Sequence, residues 1–178
     1  HQILGSVYDG NLESLKAFIE KSDLDEWSRE AGLKTLLVLI KEDILDRDVV
    51  INYMKKLFHH PSFVNSEDAL AQLISVAGDL YPIELYAEIK AAFEIDKVDI
   101  SWITLEEVDD ILGMEKEVTL KENLYENSHY DLIDDTVSEM MNWPCFAVSD
   151  DEDDEDEEND EENDEDYPFL PTIVPVTR

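Results

Sequence analysis

The chain has 178 residues, with 46 acidic against 13 basic side chains and a formal net charge of −33. That length bounds it to one compact domain or one extended array, and that charge excludes a nucleic-acid-binding surface, which needs clustered Lys and Arg to release counterions. The single cysteine, Cys145, excludes an internal disulfide framework and a cysteine-based zinc site, and no apolar run reaches the length of a membrane span.

From the start, Leu12, Leu15, Phe18 and Ile19 form one helical stripe. Asp25 is placed to cap a long helix, "EWSREAGLKTLLVLIKED", with Trp27, Leu33, Leu36, Leu37 and Ile40 on its apolar side. Asp46 or Asp48 can open "VVINYMKKLFHH", which Pro61 closes. Ser66, followed by Glu67 and Asp68, opens "ALAQLISVAGDL", and Pro82 suits the first turn of "IELYAEIKAAFE". Thr104 and Glu107 have capping-box spacing ahead of Val108, Ile111 and Leu112. "EVTLKENLYEN" and "YDLIDDTVSEMMNW" read as two further helices.

No segment alternates as a strand does, so the fold class is all-α. The spacing of elements predicts antiparallel helix pairs. Residues 12–40 have the pattern of one HEAT repeat, with Asp25 and Arg29 at its turn. Residues 49–58 with 67–80, and 83–95 with 105–113, read as weaker copies. The expected architecture is a HEAT-like α-solenoid over residues 1–148. Residues 149–178 read as a separate acidic low-complexity linker and apolar stub. Positions 149–166 hold fifteen carboxylates and no Lys or Arg, too much like charge for a compact core, so a disordered, solvated tether is expected. Outside that run, 31 acidic residues still face 13 basic ones, so the helical part is acidic in its own right.

"ILGSVYDGNLESLKAFIE", "DISWITLEEVDDIL" and "YDLIDDTVSEMMNWPCF" resemble a bacterial family of unknown function built from HEAT-like helix pairs. The resemblance covers residues 1–148. It implies further helices before His1 in the whole protein, and it commonly continues into a C-terminal SEC-C zinc motif. Here "PFLPTIVPVTR" resembles the approach to that motif, while its cysteines are absent. The resemblance carries no established activity.

The titratable residues do not assemble a catalytic set. His59 and His60 adjoin at a helix end and point apart, so they are poor co-ligands. His129 with Asp131 or Asp134 lacks a matched nucleophile, because Cys145 sits in apolar "WPCF". No cofactor is expected in this chain, no metal site is assigned, and enzyme chemistry is not the favoured reading.

The favoured one is an interaction scaffold or adaptor in the cytoplasm. Its partner would be a protein or peptide, with a basic segment the best charge match, and neither nucleic acid nor membrane. In such arrays the second helices of the pairs line the binding surface, which assigns Glu30 and Lys34, then Asp68 and Gln72, to it. Met140, Met141, Trp143 and Phe146 form a second candidate patch, unless they only cover the end of the array. The rival readings are a hydrolase whose site lies partly in a preceding region, and a targeting or quality-control factor acting through the zinc motif.

Overall fold

Asp25 starts the helix on which the rest is built. In the structure, a computed structural model that describes residues 1–141, its carboxylate accepts from Ser28 N at 2.9 Å and from Ser28 Oγ at 2.7 Å. From this cap runs α3 (Glu26–Lys41). Leu33, Leu36, Leu37, Val38, Leu39 and Ile40 are all buried along it, so its second half is covered on every side. The helix stops at Asp43, which takes the left-handed conformation (φ 54°). Ile44 N then donates back to Leu39 O at 2.9 Å, the closure usually made with glycine.

Before α3 come α1 (Gln2–Ser6) and α2 (Leu12–Ile19), both packed on it. Close approach depends on two glycines. A Cβ on Gly5 would lie 2.7 Å from Val38 Cγ1, and one on Gly32 would lie 2.9 Å from Ile19 Cγ1.

After α3, α4 (Arg47–Leu57) leads to a single-turn helix, α5 (Pro61–Val64), and then to α6 (Glu67–Gly78), the main neighbour of α3. Pro61 therefore opens a short helix as well as closing the previous one. His60 caps it, its Nδ1 accepting from Ser62 N at 3.3 Å. Asp46 holds the cap position of α4 without a side-chain bond, and Asp48 falls in the first turn. The Ser66 cap on α6 and the Thr104–Glu107 capping box form as expected.

A 3₁₀ turn at Ile83–Leu85 leads into α7 (Tyr86–Glu94), followed by α8 (Leu105–Gly113) packed on it, and α9 (Lys116–Leu120). Every regular element among the described residues is helical, and no helix among them is long and apolar enough to cross a membrane. The expected single helix over 130–143 is corrected. Ser128–Tyr130 is a 3₁₀ turn, and α10 (Thr136–Met141) starts only where Asp135 accepts from Val137 N at 3.0 Å. Trp143, Cys145, Phe146 and the acidic run lie outside the described residues.

The segment 127–133 returns to the first helices. Ile133 N donates to Ser6 Oγ at 2.9 Å, Gln2 Nε2 to Ser128 O at 3.2 Å, and Lys41 Nζ to Asn127 O at 2.8 Å. Lys41 also pairs with Asp131. Residues separated by most of the described chain thus meet over α3.

Arg47 fixes the turn between α6 and α7. Its Nε donates to Leu80 O at 2.9 Å, one terminal nitrogen to Tyr81 O at 2.7 Å, and both terminal nitrogens to Glu84 at 2.8 Å. Tyr81 sits at φ 53°, a strained conformation for a tyrosine that these bonds hold in place. Hydrogen bonds from Arg47 hold the Glu84 carboxyl at about 2, well below its ordinary 4.5. A depressed carboxyl stabilises the fold above its unfolded pKa, and that contribution is lost as pH falls from about 4.5 toward about 2. Arg47→Ala is expected to cost roughly 2–3 kcal/mol at neutral pH and to flatten the acid-side slope, read from urea unfolding at pH 3 to 7. Gly32→Val is expected to destabilise by about 1–3 kcal/mol through overpacking against Ile19 and Phe18, read the same way.

Candidate functional site

Two buried polar side chains lie among the first turns of α3 and α6. Arg29 sits on the same stripe of α3 as Leu33, Leu36 and Ile40, and is 5% exposed. Its terminal nitrogens donate to Ser62 O at 2.7 Å and Lys21 O at 3.0 Å, and its guanidinium lies 5.2 Å from the centre of the Phe63 ring. One guanidinium thereby ties the α2–α3 turn to α5. Burial pushes its pKa down from the ordinary arginine value. Its Nε–H finds no partner.

Gln72 occupies the buried side of α6, between Ala69 and Val76, and is fully buried. Neither its Nε2 nor its Oε1 has a protein partner. An unpaired buried amide costs about 1–3 kcal/mol, so its presence calls for a reason beyond packing. Both residues line one cavity of about 460 Å³. Its floor comes from α6 with Asp68 and Ala69. One wall comes from Ser22, Leu24 and Glu26, the other from Pro61, Ser62 and Asn65. The lining carries one guanidinium and two carboxylates, Glu26 and Asp68.

An aromatic pair stands at the same end of α3. Trp27 is 62% exposed, with its ring centre 5.4 Å from that of Trp102. This corrects its assignment to the apolar side of α3: in the first turn the packed neighbours have not yet closed around the helix. Asp99, in the turn that carries Trp102, is held below the ordinary carboxylate range by Ser101, first through its backbone N–H, which donates at 2.8 Å, and then through its side chain. The Trp27–Trp102 contact thus sets the connector before α8 beside the N-terminal end of α3.

The four residues expected on a shared surface divide into two groups. Asp68 and Gln72 meet at the cavity. Glu30 and Lys34 instead pair with each other at 2.8 Å. Lys34 lines a smaller recess of about 320 Å³ with Asn127, His129 and Tyr130. Below it, Tyr130 Oη donates to Asp79 at 2.6 Å. Burial pushes the Asp79 carboxyl up, partly offset by the Tyr130 bond and the Lys34 charge.

Met140 lines an apolar groove of about 250 Å³ with Ile3, Val7 and Ile133, while Met141 is 68% exposed. A second apolar groove, of about 470 Å³, runs beside α7 between Phe58, Leu70, Ala91 and Ile95. No group of three or more His, Cys, Asp or Glu side chains among the described residues is placed to hold a metal ion.

In the sequence alone Arg29 reads only as a turn residue. Its position four residues before Leu33 on the buried stripe was the available signal. Gln72, three after Ala69 and four before Val76, carried the same signal.

Residues 1–147 match the family described as Protein of unknown function (DUF1186). The chain belongs to that family. It is 32% identical over 143 residues to an uncharacterized protein of Chlamydia trachomatis serovar D, covering 80% of this chain and 55% of that protein. It is 29% identical over 142 residues to one of Chlamydia muridarum, covering 80% and 56%. The chain therefore spans about half the length of the curated bacterial relatives it matches. No solved structure matches it. The match takes in both halves of the cavity, since α3 and α6 fall inside it.

Asp79 offers a test of the polar packing behind α3. Because its folded-state pKa is raised, the folded state holds the proton more tightly than the unfolded one. Its contribution to stability therefore falls as pH rises above about 4 toward the folded pKa. Asp79→Asn keeps an oxygen for Tyr130 and removes that slope. The variant is expected to gain in thermal midpoint relative to the parent between pH 4 and 7, and equal midpoint shifts at all pH values would refute this.

Proposed function

We propose that this chain is a protein–protein interaction module, a scaffold or adaptor that holds a segment of another polypeptide across the first turns of α3 and α6. One observation carries the reading. Arg29 and Gln72 are buried with unpaired hydrogen-bonding atoms beside a cavity large enough for a partner's side chain or backbone. Such atoms are normally satisfied, and a partner that supplies the missing groups gains what the free protein forgoes.

In this reading α2 with α3, and α4 and α5 with α6, are HEAT-like units whose second helices stack, and the segment 127–133 folds back over the first of them. The exposed indole of Trp27 supplies an aromatic contact at the edge of the site. Glu26 and Asp99 beside it, on a body with a large acidic excess, favour a partner segment that is basic overall. The acidic run 149–166 acts as a tether to whatever follows, and the module works in the cytoplasm.

A photo-crosslinking amino acid placed at Asn65, exposed at the cavity wall, is expected to give a discrete protein adduct in the native cell, weakened by high salt. The same probe at Asp43, beyond the far end of α3 and about 24 Å along the helix, is expected to give none. Equal adducts from both positions, or none from Asn65, would count against the reading.

A further inference from the structure

Arg29 Nε–H is a donor without an acceptor, and Gln72 has both a donor and an acceptor left over. Their two residues are at least nine-tenths buried and line the same cavity. The complement of that set is a group with an acceptor and a donor side by side. A carbonyl oxygen can accept from Arg29 Nε–H or Gln72 Nε2–H, while an adjacent N–H donates to Gln72 Oε1.

Charge narrows the choice further. A carboxylate or phosphate would face Glu26 and Asp68 in the lining. An ammonium or guanidinium would face Arg29 and the positive ends of two helices. An uncharged group avoids both repulsions. The volume, about 460 Å³, is far more than one water needs and admits an amide with its flanking carbons.

We infer that the cavity between the first turns of α3 and α6 is a subsite for an uncharged amide group, with Arg29 and Gln72 as its hydrogen-bonding residues. This rests on the interaction reading above and names the chemistry of what the partner inserts. The amide comes either from a main-chain peptide group or from an Asn or Gln side chain. The three unpaired atoms are closed to solvent in the unliganded arrangement. Binding therefore goes with a rotation of the Gln72 side chain, which has three rotatable bonds to allow it.

The test is NMR titration of the ¹⁵N-labelled chain, following the Gln72 side-chain amide and Arg29 Nε–H signals. The four probes are N-methylacetamide, acetamide, sodium acetate and methylguanidinium chloride at matched ionic strength. Saturable shifts are expected with an amide, at dissociation constants of about 10–100 mM, as befits so few atoms. A stronger response to N-methylacetamide assigns the site to a main-chain group, and a stronger response to acetamide assigns it to a side chain. No saturation with either amide, or an equal response to acetate or methylguanidinium, overturns the assignment. Gln72→Leu and Gln72→Met are each expected to abolish the response and raise the thermal midpoint, because both remove an unpaired amide from a buried position. A lowered midpoint in both would show that the amide is satisfied within the free protein or by a bound water, and would also overturn it. A flat titration with the Asn65 crosslink intact removes only the amide subsite; loss of the crosslink as well removes the interaction reading.

Discussion

Burial of α3 on all its sides is the constraint from which the other packing follows. A helix with five consecutive apolar positions, 36–40, shut off from solvent cannot lie on a surface. It must be surrounded, and α1, α2, α6 and the turns around Leu124 and Tyr130 surround it. Fully burying each large aliphatic side chain is worth about 1.5–3 kcal/mol over leaving it exposed. That gain is what draws the late segment 127–133 back over the first helices. It also explains the two glycines, since Gly5 and Gly32 sit where α1 and α2 come closest to this axis.

Two arginines do related work in a chain that has few cations to spare. Arg29 and Arg47 each bond backbone oxygens outside their own helix, of Lys21 and Ser62 in one case and of Leu80 and Tyr81 in the other. The planar, always-charged guanidinium suits this, because several fixed donors can serve carbonyls that the helices leave open. The difference between them is what remains. All three Arg47 nitrogens are engaged, and Glu84 balances the charge. Arg29 keeps one N–H unspent beside an equally unspent Gln72.

The helix caps were legible because they are local. Asp25, Ser66 and Thr104 each satisfy an N–H group three residues on, so a short window of sequence contains both partners. The helix expected over 130–143 failed for a related reason. Its apolar spacing is helical, yet Ser128–Tyr130 is pulled into a tight turn by bonds to residues about 130 positions earlier, and no window sees those. Trp27 failed likewise: periodicity put it with the core, while its true neighbour is Trp102.

The all-helical class, the positions of the main helices and most of their caps are legible in the amino-acid order alone, because 3.6-residue periodicity and capping are properties of nearby residues. The strongly acidic character of the body follows from composition. That Asp68 and Gln72 share a cavity with Arg29, while Glu30 and Lys34 pair on another side of α3, is visible in the packed fold alone. The reason is that the side of a helix on which a polar residue matters depends on which helix packs there, and on whether that neighbour supplies a hydrogen-bonding partner or leaves the group unpaired.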